Sequence, residues 1–195
     1  MRRPPFLFLV VVTVLLSACS RAGDGGSDAV VTPGDGPADG TNVTVGAVQL
    51  DLPAQMQPLE GGDDSGDGIT RGRYRSTVND STGRAAAVVV SVAATATRSA
   101  TAEGEALVGY QKDVAKGTGI KSGPVDWPGF TGAYGMEFDD AAAQGAGAPL
   151  HHLVLVASTR QGGLVNVTVA APPELFDSLD LKATVASVRP VHQGA

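Results

Sequence analysis

Apolar and polar residues alternate along much of the chain, most clearly in its last third. There Val165, Val167 and Val169 alternate with Asn166 and Thr168. Successive side chains of a β-strand point to opposite faces, so the three valines share one face of a strand. We predict a half-buried strand at this place, with its valine face in the core.

Similar patterns predict six more strands. The stretch Arg84–Thr95 contains three alanines followed by three valines, which makes it apolar on both faces and typical of a central strand. The other five predicted strands are Val43–Leu52, Ile69–Val78, Gly123–Trp127, Phe130–Phe138 and Leu150–Ser158.

Two stretches follow the period of a helix instead. Thr101–Lys116 has acidic residues in its first turn, lysines in its last turn and Gly117 directly after it, as expected at the two ends of a helix. The second stretch runs from Pro173 to Arg189. Its apolar residues form two stripes that are offset from each other, which predicts a break near Asp180.

The predicted elements follow the order three strands, one helix, four strands and one helix. Strands that are grouped along the chain and joined by short turns favour antiparallel pairing over a parallel βαβ arrangement. The sequence therefore predicts an α+β fold, in which a mainly antiparallel sheet of about six or seven strands is flanked by helices.

The start of the chain has the pattern of an export signal. Arg2 and Arg3 precede the apolar run Phe6–Leu16, and such a charged start before a short apolar stretch is typical of secreted proteins. The run is too short to cross a bilayer, which takes roughly 20 apolar residues. We predict a signal peptide at residues 1–18.

The tetrapeptide LSAC at residues 16–19 resembles the lipobox of bacterial lipoproteins. The resemblance implies that the chain is cut before Cys19 and that Cys19 carries a lipid, which holds the protein to the outer side of the cell membrane. An ordinary signal peptide followed by an incidental cysteine is the alternative. Cys19 is the sole cysteine of the chain, so an intramolecular disulfide is excluded.

The segment that follows Cys19 is poor in large apolar side chains. Residues 20–41 contain six Gly, four Asp and two Pro, and such a composition buries too little surface to offset the entropy of ordering. We predict a lipidated cysteine and flexible tether at 19–41, one globular domain at 42–192 and a short tail at 193–195.

The charge of the chain argues against nucleic acid as a partner. Only Arg2 and Arg3 are charged within the first 18 residues, so the remainder keeps 12 basic and 20 acidic residues and a formal net charge of −8. Nucleic-acid binding normally needs a basic surface that replaces the counterions of the phosphates.

The element order and three short motifs resemble the PsbP-like fold, and more narrowly the LpqN/LpqT-type lipoproteins of actinobacteria. The motifs are Leu52-Pro53 at the end of the first strand, the Pro128-Gly129 turn, and a closing Pro-Pro helix that ends in Val-Arg-Pro. The resemblance covers residues 42–192. It implies an α/β/α sandwich and a non-enzymatic accessory protein of the envelope surface that binds other molecules, and it supplies no catalytic residues.

Two patterns are candidates for metal sites. His151 and His152 are adjacent on a predicted strand and therefore point to opposite faces, although either could approach an aspartate of the neighbouring strand. The acidic loop at 63–68 has the front half of a calcium-loop pattern, but Tyr74 stands where such a loop needs a bidentate glutamate. We interpret the first pattern as a rim histidine pair and the second as a solvated loop, and we predict no metal and no cofactor.

Two further patterns are candidates for partner binding. Arg71, Arg73 and Arg75 alternate along one predicted strand, so their guanidinium groups lie on one face, where they could hold phosphates or carboxylates. A solvated face neutralised by nearby aspartates is the alternative. Trp127 and Phe130 flank the Pro-Gly turn, where they either pack into the core or, if exposed, form a recognition surface.

The sequence contains no complete catalytic motif. A nucleophile elbow, a Walker A loop and a glycine-rich dinucleotide loop after a strand are all missing from the chain. We therefore predict a non-catalytic, lipid-anchored binding or accessory protein on the outer face of the cell membrane, with an unidentified envelope protein or ligand as its partner. The alternative is a carrier of a small ligand or lipid with an apolar cavity.

Overall fold

A computed structural model describes residues 29–61, 64–140 and 149–191. The predicted signal peptide, the lipidation site Cys19 and the predicted tail at 193–195 lie outside these residues. Within the described residues the strands are β1 (Thr41–Val45), β2 (Val48–Leu52), β3 (Met56–Pro58), β4 (Asp64–Gly66), β5 (Ile69–Asn79), β6 (Ala85–Ala93), β7 (Thr118–Val125), β8 (Gly132–Asp139), β9 (His151–Ser158), β10 (Leu164–Ala171) and β11 (Arg189–Pro190). The helices are α1 (Ala100–Tyr110), α2 (Pro173–Ser178) and α3 (Leu181–Ala186).

The strands form two antiparallel sheets. The large sheet has the order β3-β5-β6-β10-β9-β8-β7, with β4 paired to β5, and the small sheet has the order β1-β2-β11. The predicted antiparallel sheet with flanking helices is confirmed as an α+β fold. The second sheet differs from the prediction of one strand at Val43–Leu52, because this stretch turns back at residues 46–47 to form the β1–β2 hairpin.

The main core lies between the large sheet and a layer made of the small sheet, α2 and α3. Val165, Val167 and Val169 of β10 are fully buried there, together with Val88 and Val90 of β6. This confirms the core face predicted from the alternation in β10. The opposite face of the large sheet packs against α1, so the molecule has three layers.

Both predicted helices are present, with different ends. The break predicted near Asp180 is confirmed, because α2 ends at Ser178, α3 begins at Leu181, and Asp180 has a positive φ of 48°. The mid-chain helix begins after the N-cap Ser99, whose Oγ accepts a hydrogen bond from the Ala102 amide at 3.2 Å. After Tyr110 it continues as one turn of π-helix, Gln111–Ala115.

The segment before β1 is packed, which differs from the tether predicted to reach residue 41. Val30 and Val31 are 7% and 1% exposed and belong to the main core. Further along, the amide of Gly34 donates to the Ala186 carbonyl at 3.0 Å. The residues around this valine pair show no alternation of apolar and polar positions, so the sequence does not indicate burial. Tertiary packing against β8 explains the buried position.

Candidate functional site

One face of the large sheet is covered over only part of its width. On β8 and β9, the side chains of this face pack against Ala100 and Val108 of α1. We call this part the covered half; its side chains are Tyr134, Met136, Phe138, Val154 and Val156. On the same face of β10, Leu164 at the start of the strand packs against this apolar cluster, whereas the described residues of β5 and β6 on this face do not belong to it.

We call this second part the open half. It is defined by Arg71, Arg73, Arg75, Ala87, Val89, Ser91, Asn166, Thr168 and Ala170. All of these side chains are half-buried except Arg75, which is exposed. Their neighbours on the core face of β6 and β10 are almost completely buried. Within the described residues, the open half is therefore a half-buried sheet face that lies outside both clusters of buried apolar side chains.

The three arginines lie in a row along the open half, as the alternation in the sequence predicted. The register of β5 with β6 places Arg71 opposite Ser91, Arg73 opposite Val89 and Arg75 opposite Ala87. Alternate residues of a strand are about 6.6 Å apart, so the row spans about 13 Å. That length suits several phosphate or carboxylate groups rather than a single one.

The floor beside the arginine row is made of short side chains. Ser91 pairs with Asn166, and Val89 pairs with Thr168, across the β6–β10 ladder. The Thr168 hydroxyl donates to Asn166 Oδ1 at 3.0 Å. Short side chains let a partner approach the sheet closely, and the hydroxyl and amide groups offer hydrogen bonds next to the arginines.

A glycine fixes how closely α1 approaches the covered half. A Cβ atom at Gly104 would overlap the ring of Tyr134, so the helix backbone rests directly on that ring. Glycine in a helix costs about 1 kcal/mol of stability relative to alanine. The structure explains why glycine stands at position 104, since this is where the helix backbone comes closest to the sheet. At the start of the helix, the Ala100 amide donates to Ser158 Oγ at 2.9 Å.

The two adjacent histidines point to opposite faces of β9, as predicted. Nδ1 of His151 lies 2.8 Å from Asp139 Oδ1, on the neighbouring strand. Its Nε2 lies 3.5 Å from Glu137 Oε1, and its ring meets the ring of Phe176 edge-on, with centroids 4.5 Å apart. The His151 ring thus lies between two carboxylates at one end of the sheet.

A depression of about 310 Å³ lies in front of His151. Its wall is apolar at Val30, Leu153 and Phe176, and it is charged at Asp177 and Lys182. The sequence suggested that a histidine could approach an aspartate here. It did not predict Glu137 or α2 as neighbours, since both are brought in by the antiparallel register of distant segments.

His152 occupies the other face, at the border between the covered and open halves. Its ring stacks on Phe138 with centroids 4.6 Å apart and planes 6° from parallel. Across the β9–β10 ladder it pairs with Ala170 of the open half. Burial lowers the pKa of His152, and the carboxylate of Asp140 opposes this shift.

Among the described residues, no group of three or more His, Cys, Asp or Glu is placed to hold a metal ion. The predicted acidic loop is only partly described, because Gly62 and Asp63 lie outside the described residues. Its second half does not form a cation loop. Residues Asp64–Gly66 form a strand, and Asp67 and Gly68, with φ values of 53° and 74°, make a tight turn into β5.

The turn at Trp127 is a packed structure rather than an exposed one. Trp127 is 6% exposed, and its indole Nε1 donates to the Val188 carbonyl at 2.8 Å. Phe130 is half-buried and packs against the same core. Of the two possibilities that the sequence leaves open, Trp127 takes the packed one, because its ring and its one polar atom are both used within the fold.

In the part of the chain that the structure describes, no helix has the length and apolar character needed to cross a membrane.

Comparisons with known proteins give a fold but no family. Neither a protein-family model nor a curated protein sequence matches the chain. The solution structure of the cyanobacterial PsbP protein CyanoP from Synechocystis sp. PCC 6803 is similar, with 15% identity and a TM-score of 0.53, over 80% of this chain and 95% of CyanoP. LpqN of Mycobacterium tuberculosis, described as involved in cell envelope biogenesis, has 12% identity and a TM-score of 0.49, over 82% of this chain and 89% of LpqN. From the similarity to CyanoP, this chain has the PsbP-like fold.

Proposed function

We propose that the protein is a lipid-anchored, non-catalytic binding protein of the bacterial cell envelope, and that it holds anionic groups of its partner on the open half of the large sheet. The observation that carries the proposal is the arginine row itself. Arg71, Arg73 and Arg75 lie in register on one face of β5, in the part of the sheet that is not a member of the apolar cluster under α1.

Physical chemistry favours this surface for recognition. Guanidinium groups form paired, charge-assisted hydrogen bonds with carboxylates and phosphates. A sheet face with short side chains accepts an extended partner without rearrangement. Charged groups at the edge of an interface mainly increase specificity and the association rate. The overall negative charge of the chain makes a local positive row more selective, since the rest of the surface repels anions.

The anchor part of the proposal rests on the amino-acid sequence. The apolar run and the LSAC tetrapeptide at 16–19 resemble a lipoprotein signal. Cys19→Ser should abolish fatty-acid labelling and leave a precursor or a shed form. Normal maturation and unchanged membrane retention of Cys19→Ser would contradict the anchor.

The carrier alternative receives less support from the packing. Between the two sheets, Leu50, Val88, Val90, Val165 and Val167 have no exposed surface and fill the space that a lipid tail would need. A stoichiometric lipid that co-purifies with the Cys19→Ser protein and is identified by mass spectrometry would favour the carrier instead.

Photocrosslinking in cells tests the binding surface. A photoreactive amino acid at Gln57, which pairs with Arg75 across the β3–β5 ladder, would report on the open half while the arginines stay intact. The control position is Gln161, an exposed glutamine in the turn before β10. We expect specific products from position 57 and none of these from position 161.

Charge reversal then tests the role of the arginines. Arg73→Glu combined with Arg75→Glu should remove the products formed at position 57, whereas Arg160→Glu, an exposed arginine elsewhere, should leave them unchanged. Products at position 57 that persist in the double variant would contradict recognition by the arginine row.

A further inference from the structure

The course of the first described residues shows where the chain enters the domain. Val30 lines the depression at His151 and Glu137, and it also lies beside Gly135 of β8. Pro33, three residues later, lies near Val125. The segment therefore runs along β8 from its Asp139 end toward its Gly132 end, and the chain enters the domain at the Asp139 end.

The end of the α1 region lies at the same end of the sheet. Helix α1 starts beside Ser158, which pairs with Gly132 at one end of β8. The π-helical turn ends just before Gly117, which lies at the other end of β8, since an added Cβ there would be 3.4 Å from the Asp139 carbonyl oxygen. The helix thus runs along the sheet from one end of β8 to the other. Its last residues and the chain entry share one end of the molecule.

This end carries two of the large apolar side chains that the fold leaves exposed. Tyr110 is 54% exposed and Val114 is 63% exposed. They are four residues apart, which places them near each other on the helix surface. Lys112 lies between them in the chain and Lys116 follows Val114, and both lysines are exposed as well. Asp113, between the two lysines, offsets part of their charge.

We propose that this end of the domain, defined by Tyr110, Lys112, Val114 and Lys116, rests on the surface of the membrane that holds the anchor. The proposal depends on the proposed lipid at Cys19. An aromatic ring with a polar tip suits the boundary between lipid headgroups and acyl chains, and lysines with long stems reach anionic headgroups beside it.

The length of chain before Val30 makes the contact reachable. Only residues 20–29 separate Cys19 from Val30, and ten fully extended residues span at most about 35 Å. The entry end of the domain therefore lies nearest to the anchor.

The contact leaves the arginine row accessible. Four strand spacings separate β8 from β5, in the order β8-β9-β10-β6-β5, and each spacing is about 4.8 Å. The arginine row on β5 therefore lies about 19 Å from β8 across the sheet. The row begins with Arg75, which is level with Phe138 at the entry end, and it ends with Arg71, about 13 Å farther along the sheet and away from the membrane.

Spin labelling on vesicles tests the proposal with the mature protein as bacterial cells process it. Cys19 is the sole cysteine, so Val114→Cys introduces one reactive thiol once Cys19 is lipidated. Leu59→Cys is the matched control, because Leu59 is 42% exposed and follows β3 at the opposite edge of the sheet. Both labelled proteins are bound to vesicles of phosphatidylethanolamine and phosphatidylglycerol.

We expect a several-fold higher ratio of oxygen to nickel-complex collisions at position 114 than at position 59, since oxygen concentrates in lipid and the nickel complex in water. Equal ratios on protein that sediments with the vesicles would overturn the membrane contact and leave the anchor intact. Protein that does not sediment with the vesicles would overturn both the contact and the anchor.

Discussion

The covered and open halves are parts of the same sheet face, and they differ in the side chains that point outward. On the covered half, Tyr134, Met136 and Phe138 of β8 are buried under α1. At the same level on the open half, Arg73 and Thr168 are only half-buried. Both halves have the same backbone ladder, so the ladder itself does not decide which half is covered. The outward side chains and the reach of one helix decide it.

This difference gives a rule for separating stability from binding in this molecule. Outward side chains of β8 and β9 remove apolar surface from water, which contributes about 25 cal/mol for each Å². Outward side chains of β5, β6 and β10 remain near solvent and contribute little to the free energy of unfolding. Substitutions on the first set should change stability, and substitutions on the second set should change recognition.

The largest expected effect comes from breaking the fit of α1. Gly104→Ala places a methyl group against the Tyr134 ring, and this overpacking should lower the free energy of unfolding by about 2–3 kcal/mol. Gly109→Ala is the control, because a Cβ there meets nothing within 4 Å. It should raise stability by up to about 1 kcal/mol through helix propensity. Urea unfolding of both variants measures the difference, and equal effects would contradict the close approach.

A smaller effect compares the same substitution in the two halves. Val154 is 4% exposed on the covered half, and Val89 is half-buried at the same level of the open half. Val154→Thr buries a hydroxyl group and should cost about 1–3 kcal/mol, whereas Val89→Thr should cost about 0.5 kcal/mol or less. Thermal and urea unfolding give both values. A Val89→Thr loss as large as that of Val154→Thr would show that the open half is covered in solution.

Charge reversal on the arginine row should have a smaller effect on stability. The double variant Arg73→Glu and Arg75→Glu changes the charge of a half-exposed surface, so the free energy of unfolding should change by no more than about 1 kcal/mol. Urea unfolding measures this change on the same protein that is used for crosslinking. A loss of several kcal/mol would mean that the arginines are structural, and the crosslinking result would then have to be read as an effect of unfolding.

The smallest effect is a pH dependence at the border of the two halves. Burial lowers the pKa of His152 from 6.5 in the folded state, so the unfolded chain binds more protons as the pH falls below 6.5. Protonation of His152 therefore does not reduce the free energy of unfolding above about pH 6.5. Below this pH the free energy of unfolding decreases as the pH falls toward the folded pKa. His152→Gln should flatten this part of the stability curve, and urea unfolding between pH 7.5 and 5 should detect it. An unchanged slope in the variant would assign the acid loss to other groups.

The sequence predicts those parts of the fold that repeat along the chain. The alternation of Val165, Val167 and Val169 identifies the core face of β10, and the spacing of Arg71, Arg73 and Arg75 identifies the outward face of β5. The opposite orientation of the two histidines follows from the same period of two. These inferences are correct because strand geometry alone determines them.

The parts that depend on tertiary contacts could not be predicted in the same way. Trp127 is apolar with one polar atom, and the sequence does not tell whether its indole meets solvent or the Val188 carbonyl. Val30 and Val31 lie in a stretch rich in Gly, Asp and Pro, whose composition indicates a tether. The open half itself depends on where α1 ends across the sheet, and neither the length nor the pattern of α1 determines which strands it covers.

The packing of Val30 and Val31 also has a mechanical consequence. Any tension that reaches the domain from its N-terminal side meets this valine pair first, since residues 30–40 precede β1 in the chain. Burial of one valine side chain contributes about 1.5–3 kcal/mol, far less than the two sheets together. A pull would peel the segment from β8 and release 11 residues, which extend to about 36–40 Å. Under load the segment would therefore unfold first and lengthen the chain before β1, while β1 to β11 stay folded.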